Sequence, residues 1–580
     1  MNRLPAWLVG LLVIAPVVGL VVFYAWPFVN LIVEAVDTES VGTVFGRSRT
    51  WSIVWFTTWQ AVVSTSLTVV IGLAPAWVIA RFDFAGRRLL IGLLTAIFVL
   101  PTVVMGAAFL ALLPDSLDRT VWAVVGAHVV FNLAVIVRTV GAVWEHLPPD
   151  MEHAAATLGA SPSTVFREIT LPLLRPAVIA AAAIVFLFTF TSFGVIRVLG
   201  AAGTRTIEVE VWRRATQLGQ IDQAAVLALL QLAILGLLAI WSSIAARRYS
   251  RALDLRPLAR PQRPRTTRVR ILVAGVAGTT ALIAVVPLVA LVVKSMSAPT
   301  GWTFNAWTGL GSAEIRPGIT LGLDPLDALS NSLRIAAWST LFAVVIGALA
   351  SLGIVAAGKA GRFLDAGLLL PIGTSAVTIG FGMLITFDSD PYDWRASWWI
   401  IPVGHALVAV PFVVRSTLGV LRSVDPQLSL AAATLGASPT RAWVEIVVPH
   451  LWRPLATGAG IAAAISLGEF GATSFLSRSG GETLPIAIEQ LLGRTGSLLQ
   501  TKGYALATIL AAATIGLVML VDRTGDLVGG RRPVAAPTRP TEPPTESPTR
   551  LPTESPTRLL SEPPREHVDE RRTQDDHARR

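Results

Sequence analysis

A chain of 580 residues that is 53% hydrophobic, only 14% charged and free of cysteine has the balance of an integral membrane protein, and it excludes disulfides, thiolate metal sites, iron–sulfur clusters and cysteine nucleophiles. Its net charge of +10 is not a nucleic-acid signal, because the basic residues sit in short segments between apolar runs rather than on one amphipathic face. Lipid offers the backbone no water, so apolar runs this long and continuous predict helices and an all-α fold.

In chain order, apolar windows fall near 6–30, 53–80, 89–113, 121–143, 177–199 and 225–246, then 271–293, 329–357, 363–387, 398–421, 455–477 and 503–521. They predict twelve transmembrane helices, six per half. The first run follows Arg3, is too long for a signal-peptide core and lacks a small-x-small cleavage site, so it reads as an uncleaved first span. The stretch 247–270 between the halves is a basic linker with nine arginines against Asp254. Arg81, Arg87, Arg88, Lys359 and Arg362 fall on the linker's side of the membrane; Glu34, Asp37, Glu39, Asp115, Asp118, Asp388, Asp390 and Asp393 fall on the other. That asymmetry predicts a multi-pass plasma-membrane protein with both termini cytoplasmic. The expected units are 1–246, the linker 247–270, 271–521, and a Pro/Thr/Glu-rich tail, 522–580, whose composition cannot bury a core.

The halves are an internal duplication. AAATLGASP occurs at 154–162 and again at 431–439, 277 residues apart, and at the same spacing His128 matches His405, Arg138 matches Arg415, Phe193-Gly194 matches Phe470-Gly471 and Thr206 matches Thr483. An even number of spans per half gives both halves one orientation, which predicts two parallel six-helix repeats about an axis along the membrane normal, with a pathway between them.

The repeated motif lies in the loops after the fourth span of each half. Asp425 before Pro426 is a helix N-cap, the alanines propagate that helix, and Gly159 or Gly436 ends it in a left-handed C-cap. Ser161-Pro162 and Ser438-Pro439 then start a second short helix, which Pro172 and Pro449 are expected to stop. This pattern of alanines, Leu-Gly-Ala-Ser and a closing Ile/Val-x-x-Pro resembles the loop by which permease subunits of ATP-binding-cassette importers dock their ATPase. HVVFNLAVIVRT, TIEVEVWRRATQ, AAVLALLQL and SLGEFGATSFL extend the resemblance to fused permeases for ferric iron and thiamine.

The resemblance implies two docking loops, with Glu152, Ala154, Ala155, Gly159, Ala160 and Ser161 in the first and Ala431, Ala432, Gly436, Ala437 and Ser438 in the second. It implies two copies of a cytosolic ATPase at 145–176 and 422–454, with ATP and magnesium held there rather than on this chain, and an extracytoplasmic solute-binding protein. The family's usual Glu before the paired alanines is His153 here in one loop and Leu430 in the other. Glu152 is the candidate to stand in for it in the first loop, whereas Ser429 brings no charge, so two unequal docking surfaces are expected.

No phosphate-binding loop is present, since Gly358-Lys359 is followed by Ala, and no His-Glu-x-x-His or Gly-x-Ser-x-Gly signature points to an enzyme or metal site. The candidate pathway residues are Asn132, Thr191, Ser192, Ser466 and Glu469, polar groups costly to place in lipid. Each has a structural alternative: helix-to-helix hydrogen bonding for the small residues, and an interfacial ion pair with a nearby Arg for Glu469. His128 and His405 read as structural hydrogen-bonders. The alternative function is a secondary transporter driven by an ion gradient, for which Glu469 is the only embedded acid singled out.

Overall fold

Within the described residues of the computed structural model, nine helices are long and apolar enough to cross a membrane. The structure describes residues 5–528 apart from 201–203, 250–260, 299–300, 312–313, 317–318, 321–323, 479 and 495. The nine are Ala6–Ala35 (span 1), Ser48–Arg81 (span 2), Val121–Glu145 (span 4), Pro162–Phe190 (span 5), Ile221–Ala245 (span 6), Thr267–Ser295 (span 7), Pro325–Ala356 (span 8), Ile400–Ser423 (span 10) and Ser497–Val521 (span 12). Two further windows are bent pairs, Arg87–Val99 with Thr102–Leu112 (span 3, 106°) and Gly361–Pro371 with Ala376–Phe387 (span 9, 96°), which raise the number to as many as eleven. The twelfth window is Trp452–Gly468 (span 11), only 17 residues or about 26 Å long, followed by the short helix Thr473–Leu476.

The departures from twelve straight spans have local causes. In span 3, Pro101 holds the preceding Leu100 in an extended conformation at ψ 142°, which ends one helix and lets another start at Thr102. In span 9, the Ser375 hydroxyl accepts from the Thr378 amide at 3.1 Å and begins a new helix after the break. Pro172 does not stop the second loop helix, contrary to expectation. A π-helical turn, Phe166–Thr170, carries the chain unbroken from Pro162 to Phe190. Its counterpart Pro449 does interrupt, inside a 3-10 turn, Val448–His450. The second copy has one extra residue between its two prolines (PHLWRP against PLLRP), which rotates the ladder by about 100° and leaves span 11 short.

Helical backbone reaches Tyr249 and Val528, beyond the expected ends of spans 6 and 12, and span 7 starts at Thr267, inside the predicted linker. Gln262 bridges to the end of span 2, its amide donating to the Arg81 carbonyl at 2.9 Å. The rest of the predicted linker, at 250–260, and the tail from 529 on lie outside the described residues.

Each half is built on three spans in mutual contact: 2, 4 and 5 in one and 8, 10 and 11 in the other. Glycine permits the closest approach in both. A Cβ on Gly72 would lie 2.8 Å from Ile136, and one on its counterpart Gly347 would lie 2.7 Å from Val413. The first span of each sequence half packs on the opposite half. Span 1 bonds to span 9 through Tyr24 Oη and Thr374 Oγ1 at 2.6 Å and through Asn30 Nδ2 and Thr386 Oγ1 at 3.1 Å. Span 7 packs on Thr102–Leu112 and span 2 of the first half. The duplicated Phe-Gly pairs meet between the halves, with the Phe193 and Phe470 rings 5.0 Å apart, and Arg197 pairs with Glu489 across the same interface.

Candidate functional site

The two repeated loops share one turn geometry and differ at their start, where Asp425 accepts from the Gln427 amide at 2.9 Å and Pro148 offers no side-chain cap. Pro149–Thr157 and Pro426–Thr434 are helices that end with the next residue, and Gly159 and Gly436 follow at φ +86° and +83°. The Ala160 amide donates to the Ala155 carbonyl and the Ala437 amide to the Ala432 carbonyl, each at 3.0 Å. Gly159 and Gly436 likewise donate to Ala156 and Ala433 at 3.0 Å, completing a Schellman cap in each loop. Ser161 and Ser438 then cap the next helix, accepting from the Thr164 and Arg441 amides at 3.2 Å. Arg441 bonds Glu445 at 2.8 Å, which raises its already high pKa and keeps a fixed cation on the second loop.

These caps turn one apolar side chain of each loop outward. Leu158 is 89% exposed and Leu435 88%, and one turn-and-a-half to two turns back Met151 and Leu428 are 47% and 48% exposed. A seven-residue separation puts each pair on one helix face, so each loop presents an apolar ridge. Sequence reasoning passed over both leucines because, inside an alanine run, they read as helix filling. The available signal was their place beside a left-handed glycine, where the helix has already ended. The face carrying these loops also carries the start of span 1, since Leu8, Val9 and Leu12 pack with Trp443, Val447 and Leu451.

Glu152, the candidate docking carboxylate, turns inward instead. It accepts from Arg81 at 3.0 Å and from Thr170 Oγ1 at 2.9 Å, and Arg81 also donates to the Leu147 carbonyl at 3.1 Å. This strut ties the first loop to the end of span 2. The duplicated position of Arg81 is Ala356, so the second loop has no such strut and its Trp443 packs into an apolar cluster instead. Replacing Arg81 by Met is therefore expected to loosen the first loop's hold on span 2. For a pair that is partly exposed the effect on stability is about 1 kcal/mol or less, read as a small fall in the thermal-unfolding midpoint of the purified chain. A fall of many degrees, or a midpoint above the parent's, would contradict this role.

Of the candidate pathway residues, Asn132, Ser192, Ser466 and Glu469 are buried and Thr191 partly so; the two serines bond histidines of neighbouring spans, while Asn132 and Thr191 bond carbonyls of their own helix. Ser192 Oγ lies 2.8 Å from His128 Nε2, and Ser466 Oγ lies 2.8 Å from His405 Nδ1, whose Nε2 is 2.7 Å from Thr473 Oγ1. Asn132 donates to the His128 carbonyl at 2.9 Å, and Thr191 to the Leu187 carbonyl at 2.8 Å. Glu469 follows span 11 and is buried, and its carboxylate accepts from the Ala472 amide at 2.9 Å rather than from an arginine. Two acids that sequence reasoning left aside lie in TIEVEVWRR. Glu210 gathers Arg205, Arg213 and Arg214 at 3.6, 3.3 and 3.0 Å, while the fully buried Glu208 accepts from the Gln231 amide at 2.5 Å and has the Ser375 hydroxyl nearby, with no cation paired to it among the described residues.

Comparison with known proteins matches the halves separately and together. The family profile described as binding-protein-dependent transport system inner membrane component matches residues 68–254 and again 342–528. A putative 2-aminoethylphosphonate transport system permease of Salmonella typhimurium is 30% identical over 204 residues, covering 35% of this chain and 76% of that protein. The thiamine transport system permeases of Escherichia coli and Brucella abortus span both halves: 25% identity over 78% of this chain and 85% of the former, and 27% over 82% and 87% for the latter.

Proposed function

The chain belongs to the family of binding-protein-dependent transport system inner membrane components, the multi-pass permeases of ATP-binding-cassette importers, and from that premise we propose that it is a fused permease carrying thiamine inward. The permease role makes it a transport subunit rather than an enzyme, served by an ATPase and a binding protein, with no cofactor of its own. Thiamine is favoured because the relatives named for it cover both halves, whereas the aminoethylphosphonate relative covers 35% of the chain.

The observation that carries the mechanism is the pair of identical capped turns, each ending in an exposed leucine on one face. Two copies of one ATPase seat on residues 145–176 and 422–454, and that face, with both termini, is cytoplasmic. Closure of the ATPase pair draws the two turns together. Span 5, continuous with the second helix of its loop, moves with it, and the halves rock about the Phe193–Phe470 contact to expose the pathway to the binding protein. The units 1–246 and 271–521 act as the two arms, each wearing the other's first span.

The test is reconstitution of the chain with its ATPase and binding protein in lipid vesicles. ATP-dependent accumulation of radiolabelled thiamine is expected, with none when ATP or the binding protein is left out. Accumulation of ferric iron in its place would overturn the substrate assignment, and uptake driven by an ion gradient alone would overturn the importer mechanism.

A further inference from the structure

Glu208 stands apart from every other acid in its neighbourhood. It is buried inside the membrane-spanning body, on the short helix Ile207–Trp212. Its place is set by the Ile207 amide, which donates to Thr57 Oγ1 of span 2 at 3.0 Å. Gln231, about 15 Å along span 6 from Ile221, donates to one carboxylate oxygen at 2.5 Å. The Ser375 hydroxyl at the break of span 9 lies near the carboxylate, yet the second carboxylate oxygen and the Gln231 carbonyl oxygen are left without a hydrogen bond of ordinary geometry among the described residues. Both side chains are more than nine-tenths buried.

The chain does not lack cations to neutralise this carboxylate. Three arginines lie within six residues of it, and all three go to Glu210. Glu208 and Glu469 of the opposite half both border the helix Ala376–Phe387, which packs on Ile207–Trp212 and whose Gly380 abuts Ala472. Glu469 is itself held by a backbone amide, and no Lys or Arg among the described residues pairs with either acid. The position is also one-sided: the counterpart of Glu208 in the second half is Pro485, although the supporting bond is duplicated, with the Leu484 amide donating to Ser332 Oγ at 2.7 Å. Duplication thus preserved the scaffold in both halves and an acid in only one.

A carboxylate buried without a counter-ion is too costly to keep for packing alone, and an apolar side chain of that size would fill the space at less cost. We propose that Glu208 and Glu469, with the free carbonyl oxygen of Gln231, form a binding site for an organic monocation on the route between the halves. The proposal deepens the importer reading and rests on it: thiamine carries a permanent positive charge on its thiazolium ring, which two carboxylates and an amide oxygen would hold without any need to release a proton. The helix bearing Glu208 packs against Ala376–Phe387 of the other half, so rocking of the halves would open and close the site.

Vesicles holding the complete transporter test this with Glu208→Gln, which preserves shape and removes charge, after chromatography has shown that the ATPase still copurifies. Thiamine uptake is expected to fall at least tenfold, and Glu208→Asp to restore part of it. Parental uptake by Glu208→Gln would overturn the proposal, since the group would then be a neutral hydrogen-bonding partner. Should Glu208→Gln fail to assemble, Glu469→Gln carries the same test, with a severalfold fall expected and parental uptake again overturning it. If the unaltered transporter imports no thiamine, the substrate reading fails instead. The cation site is then judged by a panel of other organic monocations, and import of none of them overturns it too.

Discussion

Replacing Leu158 and Leu435 together by Asp is expected to strip the ATPase from the extracted complex while leaving the chain itself folded. Both leucines are almost wholly exposed, at 89% and 88%, so neither contributes packing that the chain would lose. Burial of each in a partner's cleft contributes about 1.5–3 kcal/mol, and two sites together therefore account for about 3–6 kcal/mol, a factor of roughly 10² to 10⁴ in affinity. An aspartate left in an apolar cleft adds a desolvation cost to that loss. Copurification measured at graded ATPase concentrations reads the effect directly, and each single substitution should show about half of it in free energy. Thermal unfolding of the doubly substituted chain should match the parent, because surface changes of this kind stay within about 0.5 kcal/mol. Undiminished retention of the ATPase would place its seat somewhere other than these turns.

The second large effect is expected at Gly380, in the second helix of span 9, Ala376–Phe387. A Cβ there would lie 2.6 Å from Ala472 Cα and 2.9 Å from its carbonyl oxygen. Both are backbone atoms, so no rotamer change relieves the contact, and the helix Ala376–Phe387 must move off the segment that carries Glu469 and Thr473. Overpacking of this kind costs about 1–3 kcal/mol for Gly380→Ala, and a β-branched residue would cost more. Gly380→Val should therefore give little folded protein, and Gly380→Ala a clearly lower midpoint in thermal unfolding of the purified chain. Gly278 in span 7 supplies the contrast, since a Cβ there meets nothing within 4 Å. Gly278→Ala should be neutral or stabilising by up to about 1 kcal/mol, because helical glycine carries an entropic cost. Equal effects at the two positions would contradict the packing argument.

The repeated turns were the most legible part of the chain. A serine cap, a proline at the first helical position and a glycine at the C-cap act within a few residues, so their consequences follow from local spacing, and the bonds of Ala160 and Ala437 are those such spacing requires. Pro172 shows where local rules stop. A proline in the first turns of a helix breaks it or not according to the ladder around it, and one extra residue decided between the unbroken span 5 and the interrupted start of span 11. The bends of spans 3 and 9 were hidden for a related reason: an apolar window reports that a segment is in lipid, not that it crosses in one piece.

Hydrophobic length, duplication and capping chemistry are carried by neighbouring residues, and from them the sequence alone determined an all-helical membrane protein, two like halves and a pair of capped turns of the same form. Only the tertiary structure decided that each half wears the other's first span, that Glu152 pairs with Arg81, and that three arginines serve Glu210 while none among the described residues serves Glu208. Those outcomes depend on distances between residues far apart in the chain or on different faces of one short helix. Coulomb and packing energies fall off with separation in space, and the order of residues along the chain does not specify that separation.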